Sequence, residues 1–305
     1  MRRLLFLTFT TLITFSCTKK TELNDENQLI FKFQFNANQS RLNNLGQPAT
    51  IEQGHATQTP TFNEMSVHYI ELAPNENTLL GKGAIVYKSV ETNAGGTTAI
   101  DFNRSEKAGN SEEFVRISVK GIPPGTYNWV RASVAYQNYD IKFNLMDLPV
   151  IGNLPNQSGR VISFIGYNTY IKEITPRTKL LTVNGNREQG FWAFETNLST
   201  PYEEYNKVYF GQAPSGATTV VNPLFNTSPI PAGSCVVTGK LAEPLIITGE
   251  EQEDITVLLS FSINNSLEWI DDNDNHELDF YGNPTKPNEK IVDMGIRGLE
   301  ASIKK

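Results

Sequence analysis

The chain reads as an all-β protein. The expected architecture is an antiparallel β-sandwich of the immunoglobulin-like or prealbumin-like kind, built as one sandwich or as two packed units. Three observations point there. Apolar residues recur at a period of two, most plainly at Ile255, Val257, Leu259, Phe261 and Ile263, and that period puts alternate side chains on one face of a strand. No stretch beyond the first sixteen residues shows a helical period. Gly, Pro and Asn turns punctuate the chain at the short intervals typical of sandwich strands.

Residues 1–16 read as a signal peptide. Arg2 and Arg3 precede a run from Leu4 to Phe15 that only threonines interrupt. A basic head followed by about a dozen mostly apolar residues is a secretory leader, and it is shorter than the ~20 apolar residues that a transmembrane helix needs. The leader ends Ser16-Cys17 before polar Thr18-Lys19-Lys20. This junction resembles a bacterial lipobox, although Thr14 stands where that motif usually has Leu. The resemblance implies that Cys17 is lipidated and starts the mature chain. The plainer reading is an ordinary leader with an incidental cysteine. Lipidation would hold a soluble body at a membrane, because several acyl chains on one residue anchor where one does not. Residues 17–28 then form the lipidated cysteine and a flexible polar tether.

The first part of the sandwich is expected over 29–148. Phe31, Phe33 and Phe35 alternate with polar residues on one strand. A polar loop with Gly46, Pro48 and Gly54 follows, and 66–72 is the next strand. Val115, Ile117 and Val119 alternate, and 121–125 is a Gly/Pro turn. Val130, Ala132, Val134 and Tyr136 are expected on one face of a strand, and Ile141, Phe143 and Leu145 on another. Residues 146–160 carry Pro149, Gly152, Pro155 and Gly159 and are the candidate boundary.

The second part is expected over 160–305. It holds a β-branched and aromatic run at 161–174, and shorter runs at 180–183 and 191–194 divided by Asn184-Gly185-Asn186. The stretch from Pro201 to Pro231 reads as a long surface loop. Strands at 235–238, 245–248 and 255–263 follow.

Several segments resemble an uncharacterised family of envelope lipoproteins from Gram-negative bacteria of the Bacteroidota type. They are 68–74 (HYIELAP), 125–131 (GTYNWVR), 228–235 (SPIPAGSC) and 293–299 (DMGIRGL). The resemblance covers most of the mature chain and implies no known activity. With the leader, it implies a lipid-anchored protein of the cell envelope, at the outer membrane, with the periplasmic or surface face left open.

One motif carries chemistry. Trp269-Ile270 is followed by Asp271-Asp272-Asn273-Asp274-Asn275-His276-Glu277-Leu278-Asp279. Calcium takes six to eight oxygen ligands, and alternate positions of a tight loop can converge on it. Positions 1, 3, 5 and 9 are Asp271, Asn273, Asn275 and Asp279, and Glu277 offers a backbone carbonyl. The match to an EF-hand loop is partial. His276 stands at the glycine position, Gly282 stands where the last acid belongs, and the flanks read as strands. Glu268 or Asp293 is a candidate for the missing acid. The other reading is a solvated turn, since Asp and Asn are turn formers. Five carboxylates in nine residues repel one another, which favours a counter-ion; the expected cofactor is a structural Ca2+.

Composition narrows the rest. The 33 acidic residues exceed the 26 basic ones, for a net charge of -7, so nucleic acid is not an expected partner. Three His and two Cys are too few for most zinc sites with several such ligands. Cys235 has no His near it in sequence and reads as a small buried hydrophobe. His55 in its loop and His68 on its strand read as structural. No nucleophile elbow, His-Glu-x-x-His or phosphate loop is present, so the expectation is a non-catalytic binding or structural protein. Beyond the membrane, the partners open to it are a glycan or another envelope protein. Trp129, Trp192, Trp269, Tyr136, Tyr139, Tyr167 and Tyr170 could form a sugar platform or pack in the core. Two alternatives stand beside this reading. One is an envelope glycoside hydrolase, which needs two carboxylates across a cleft. The other is an adhesin or fimbria-like assembly subunit, which needs an open strand edge.

Overall fold

A computed structural model describes residues 26–199, 201–213, 228, 231 and 233–304. The leader, Cys17 and most of the tether lie outside these residues. The described chain is all-β with open sheets. The strands are β1 (Gln28–Asn36), β2 (His55–Gln58), β3 (Thr61–Ala73), β4 (Ala84–Lys88), β5 (Glu91–Thr92), β6 (Ala99–Asp101), β7 (Glu113–Ser118), β8 (Gly125–Leu148), β9 (Gly152–Phe164), β10 (Thr169–Ile174), β11 (Leu181–Arg187), β12 (Phe191–Asn197), β13 (Val208–Gln212), β14 (Cys235–Ile247), β15 (Ile255–Ser262), β16 (Leu267–Ile270), β17 (Asp279–Tyr281), β18 (Ile291–Met294) and β19 (Leu299–Lys304). The only helical turns among the described residues are two three-residue 3-10 turns. No helix among them is long and apolar enough to cross a membrane.

The largest sheet follows the order β13-β12-β9-β8-β14-β19-β15-β1-β7, with β3 and β17 also paired to β8 and β4 paired to β3. Two smaller sheets have the orders β11-β10-β6-β5 and β18-β16-β2. Pairing is mostly antiparallel, as expected. The pairs β1–β15, β6–β10, β14–β19 and β8–β17 run parallel. Alternation reports which residues share a face but not which way the neighbouring strand runs, so the sequence could not reveal these four.

The predicted faces of β1 and β15 hold. Phe31 and Phe33 are fully buried and Phe35 nearly so. The Phe33 ring stacks 4.3 Å from Phe114 and meets Phe261 edge-on at 5.2 Å. Phe35 reaches Phe62, which stacks on Tyr139. One hydrophobic cluster runs from Leu29 to Ala301 and takes side chains from both of the expected sandwich parts. A second cluster, on Tyr136, Ile162, Phe164 and Phe191, is closed by Ile171 and Ile174 of β10.

β8 differs from the expectation of two strands. It is continuous over 24 residues. Its register against β3 passes from Ser66 opposite Tyr136 to Val67 opposite Val134, which leaves Ala135 as an extra residue. Such a bulge reverses the alternation. Val130, Ala132 and Val134 therefore share the main cluster with Tyr139, Ile141 and Phe143, while Tyr136 turns to the second cluster.

The expected single run 161–174 is likewise divided, into β9 and β10. The chain turns at Gly166, where an added Cβ would lie 2.2 Å from the Val134 carbonyl oxygen and 2.9 Å from the Ala135 Cα. The glycine is what lets this turn sit on the bulge. Residues 146–160, read as a boundary, form the β8–β9 hairpin. Asn184-Gly185-Asn186, read as a turn, lies within β11. The stretch read as a loop from Pro201 contains β13, paired with β12. Residues 235–238 and 245–248 belong largely to one strand, β14, whose register shifts between Lys240 and Leu245.

Candidate metal centre

The acidic loop joins β16 in the three-stranded sheet to β17 on the edge of β8. Both ends are pinned by the backbone. The Asp271 N–H donates to the Gly54 carbonyl at 3.0 Å, and the Asn144 N–H donates to the Leu278 carbonyl at 2.8 Å. Leu278 is buried in the main cluster, so the loop is drawn tight between two fixed points.

Of the five residues singled out by the spacing, Asn273, Asn275 and Asp279 meet through their side chains, whereas Asp271 turns to the backbone and to His276. Asn273 and Asn275 both donate to Asp279 Oδ2, at 2.7 and 3.0 Å. Asp271 accepts the N–H groups of Asn275 and His276 at 3.2 and 2.9 Å. Asn273 Oδ1 accepts the Asn275 N–H, and Asn275 Oδ1 accepts the Glu277 N–H. Glu277, expected to offer its backbone carbonyl, points its carboxylate at Asn144 Nδ2, 2.7 Å away. His276 departs from the EF-hand glycine in identity but keeps its conformation, with φ of 61°; Asp274 is also left-handed, with φ of 59°. Asp274 and His276 bring ligand atoms to the same place as Asp271.

Glu268 and Asp293, the two candidates for the missing acid, are engaged elsewhere. Glu268 accepts from Arg41 and from His55 Nδ1, the latter at 2.7 Å. Burial opposes its ionisation, but these hydrogen bonds and the charges of Arg41 and Arg297 outweigh burial and hold the carboxyl below its ordinary value. Asp293 pairs with Arg297 at 2.5 Å. The acid that reaches the loop is Glu289. Its carboxylate accepts the N–H of Asp279 at 2.7 Å and that of Asp272 at 3.2 Å. Burial pushes the Glu289 carboxyl above its ordinary value, and the charges of Asp279 and Asp271 push the same way against those two donors. Glu289 lies seventeen residues beyond Asp272, past a Pro- and Asn-rich turn, and no spacing rule would have singled it out.

Three carboxylates in and beside the loop are buried, a different set from Asp271, Asp274 and His276, whose ligand atoms meet. Asp279 is fully buried, Glu289 is 3% exposed and the Asp271 side chain is 3% exposed. Among the described residues none of the three pairs with Lys or Arg; the one ion pair is His276 Nδ1 to Asp271 Oδ2 at 3.2 Å. Buried charge of one sign is costly unless something compensates it. The donor set is oxygen-rich and hard, which fits calcium.

Several of the other candidates fall to structural places, while Trp129, Trp192, Tyr167 and Tyr170 are half-buried. Cys235 is buried, and burial pushes its thiol up to about 12, which leaves it inert rather than nucleophilic. His68 is fully buried on β3, bonds Glu91 at 2.9 Å and stacks on Tyr167. His55 opens β2. Trp269, Tyr136 and Tyr139 are buried and so are not available to a sugar platform. Cys17 lies outside the described residues. No family model, curated protein or solved structure matches this chain.

Proposed function

We propose that this chain is a lipid-anchored protein of the cell envelope, held at the outer membrane through Cys17. Its body is an antiparallel β-sandwich of the immunoglobulin-like or prealbumin-like kind with a non-catalytic binding or structural role. A calcium ion in the loop 271–279 stabilises that body. Asp271, Asn273, Asn275 and Asp279 supply the ligands, with Glu289 in the place of the missing last acid. The observation that carries the calcium reading is the set of three buried carboxylates without a Lys or Arg partner among the described residues.

Calcium that binds only the folded chain raises its stability by mass action, by about 2.7 kcal/mol at a hundredfold excess over Kd. Thermal unfolding with and without EGTA reads this directly. A melting temperature unmoved by calcium would remove the ion from the proposal. The anchor has its own readout. Cys17→Ala is expected to move the protein from the membrane fraction to the soluble fraction, and retention of the variant on membranes would remove lipidation at Cys17.

A further inference from the structure

The β8–β9 hairpin and β12 wall a cavity of about 1070 Å³, closed on the other side by the segment that follows the acidic loop. It is at the upper end of the ~300–1,000 Å³ found for small-molecule sites. Its deep wall is aliphatic and aromatic: Ile141, Leu154, Val161 and Phe194 are buried there, and Leu145 and Phe280 are half-buried. Polar side chains, among them Gln189, Thr196, Tyr209, Gln212 and Asn288, line the rest of the cavity.

The charges on the wall are unequal in what they have left to give. Asp293 is held by Arg297, and Glu289 by the N–H groups of Asp272 and Asp279. Lys207 and Lys290 also line the cavity, are exposed, and form no ion pair among the described residues. The cavity thus offers an apolar wall of Ile141, Leu145, Leu154, Val161 and Phe194 and two ammonium groups at solvent without an ion pair among the described residues. The hairpin tip beside it carries Val150, fully exposed and left-handed with φ of 70°. That conformation is strained for a β-branched residue.

We propose that this cavity binds a long-chain fatty acid. The alkyl chain lies against Ile141, Leu145, Leu154, Val161 and Phe194, and the carboxylate meets Lys207 and Lys290. This names a ligand class for the binding role above and rests on that reading only for where the lipid is encountered.

The test uses the full mature chain with Cys17→Ser, so that no acyl group of its own competes. Binding is followed by displacement of cis-parinaric acid with palmitate, and separately with hexadecanol. Palmitate is expected to bind one per chain. The double variant Lys207→Glu/Lys290→Glu, both positions exposed, is expected to weaken palmitate about tenfold or more, the scale of a lost charge-assisted hydrogen bond, and to leave hexadecanol unchanged. Leu154→Trp is expected to block both ligands. If that variant does not fold, the lysine pair decides. Equal palmitate affinity in the lysine variant, or unchanged binding in a folded Leu154→Trp, would overturn the proposal. So would an absence of uptake. Co-sedimentation with phosphatidylglycerol vesicles without palmitate uptake would assign the Val150 tip to membrane contact instead and overturn it as well. None of these readouts depends on Cys17 or on the anchor.

Discussion

Glu195 and Glu289 are both buried, at 1% and 3% exposure, yet their carboxyls are driven in opposite directions. Burial alone would raise Glu195. The Thr178 hydroxyl and the N–H groups of Arg177, Thr178 and Lys179 outweigh it and hold the carboxyl below its ordinary 4.5. Its contribution to stability is therefore complete above about 4.5 and is lost as pH falls through the lowered value. Glu289 has two N–H donors and two acidic neighbours, and its carboxyl is raised. The sign reverses: its favourable contribution is present below 4.5 and is lost as pH rises through the raised value. A cation removes that penalty, and binding it displaces the proton. The calcium-dependent rise in melting temperature is thus expected to grow as pH rises above the ordinary carboxylate value of 4.5. Glu289→Gln is expected to flatten that growth and to shrink the calcium effect while leaving the calcium-free protein at least as stable. Calorimetry across the pH range checks this; an undiminished calcium effect in Glu289→Gln would take Glu289 out of the ligand set.

At the scale of elements, the bulge at Ala135 and the turn at Gly166 act together. The Ile165 N–H donates to the Ala135 carbonyl at 3.1 Å, and the glycine beside it sits where a side chain would strike backbone. Gly166→Ala must push the turn off β8. The expected cost is about 1–3 kcal/mol, typical of overpacking, and chemical denaturation measures it. A neutral result would mean that the turn moves freely. The same pair explains what was legible in the sequence. Phe31 to Phe35 and Val257 to Phe261 announced their faces because unbroken alternation on a half-buried strand is a direct imprint of burial. β8 looked like two strands because its alternation changes phase, and a phase change without a Gly or Pro is how a bulge reads in one dimension. In the acidic loop the meeting of Asn273, Asn275 and Asp279 was legible, because it is local. Glu289 was not, because it arrives through the fold.

For the whole molecule, the last strand closes the sheet. β19 pairs along β15 and touches β14 through Leu241 and Ala301, and Leu299 and Ala301 are buried. Removing residues 299–305 takes two core side chains and leaves an edge of β15 open. The loss is expected to exceed about 4 kcal/mol, against a total stability of about 5–15 kcal/mol. The shortened chain should therefore show a sharply lowered or absent cooperative transition in circular dichroism. Removing only residues 304–305 should leave the transition nearly in place; equal behaviour of the two truncations would deny β19 this part.

β1 lies between β7 and β15, running parallel to the latter. Its second neighbour is more than two hundred residues later in the chain. During synthesis, Phe31, Phe33 and Phe35 wait with one flank of their strand bare until residues 255–262 emerge. The flank of β1 can be covered only once β15 has been made.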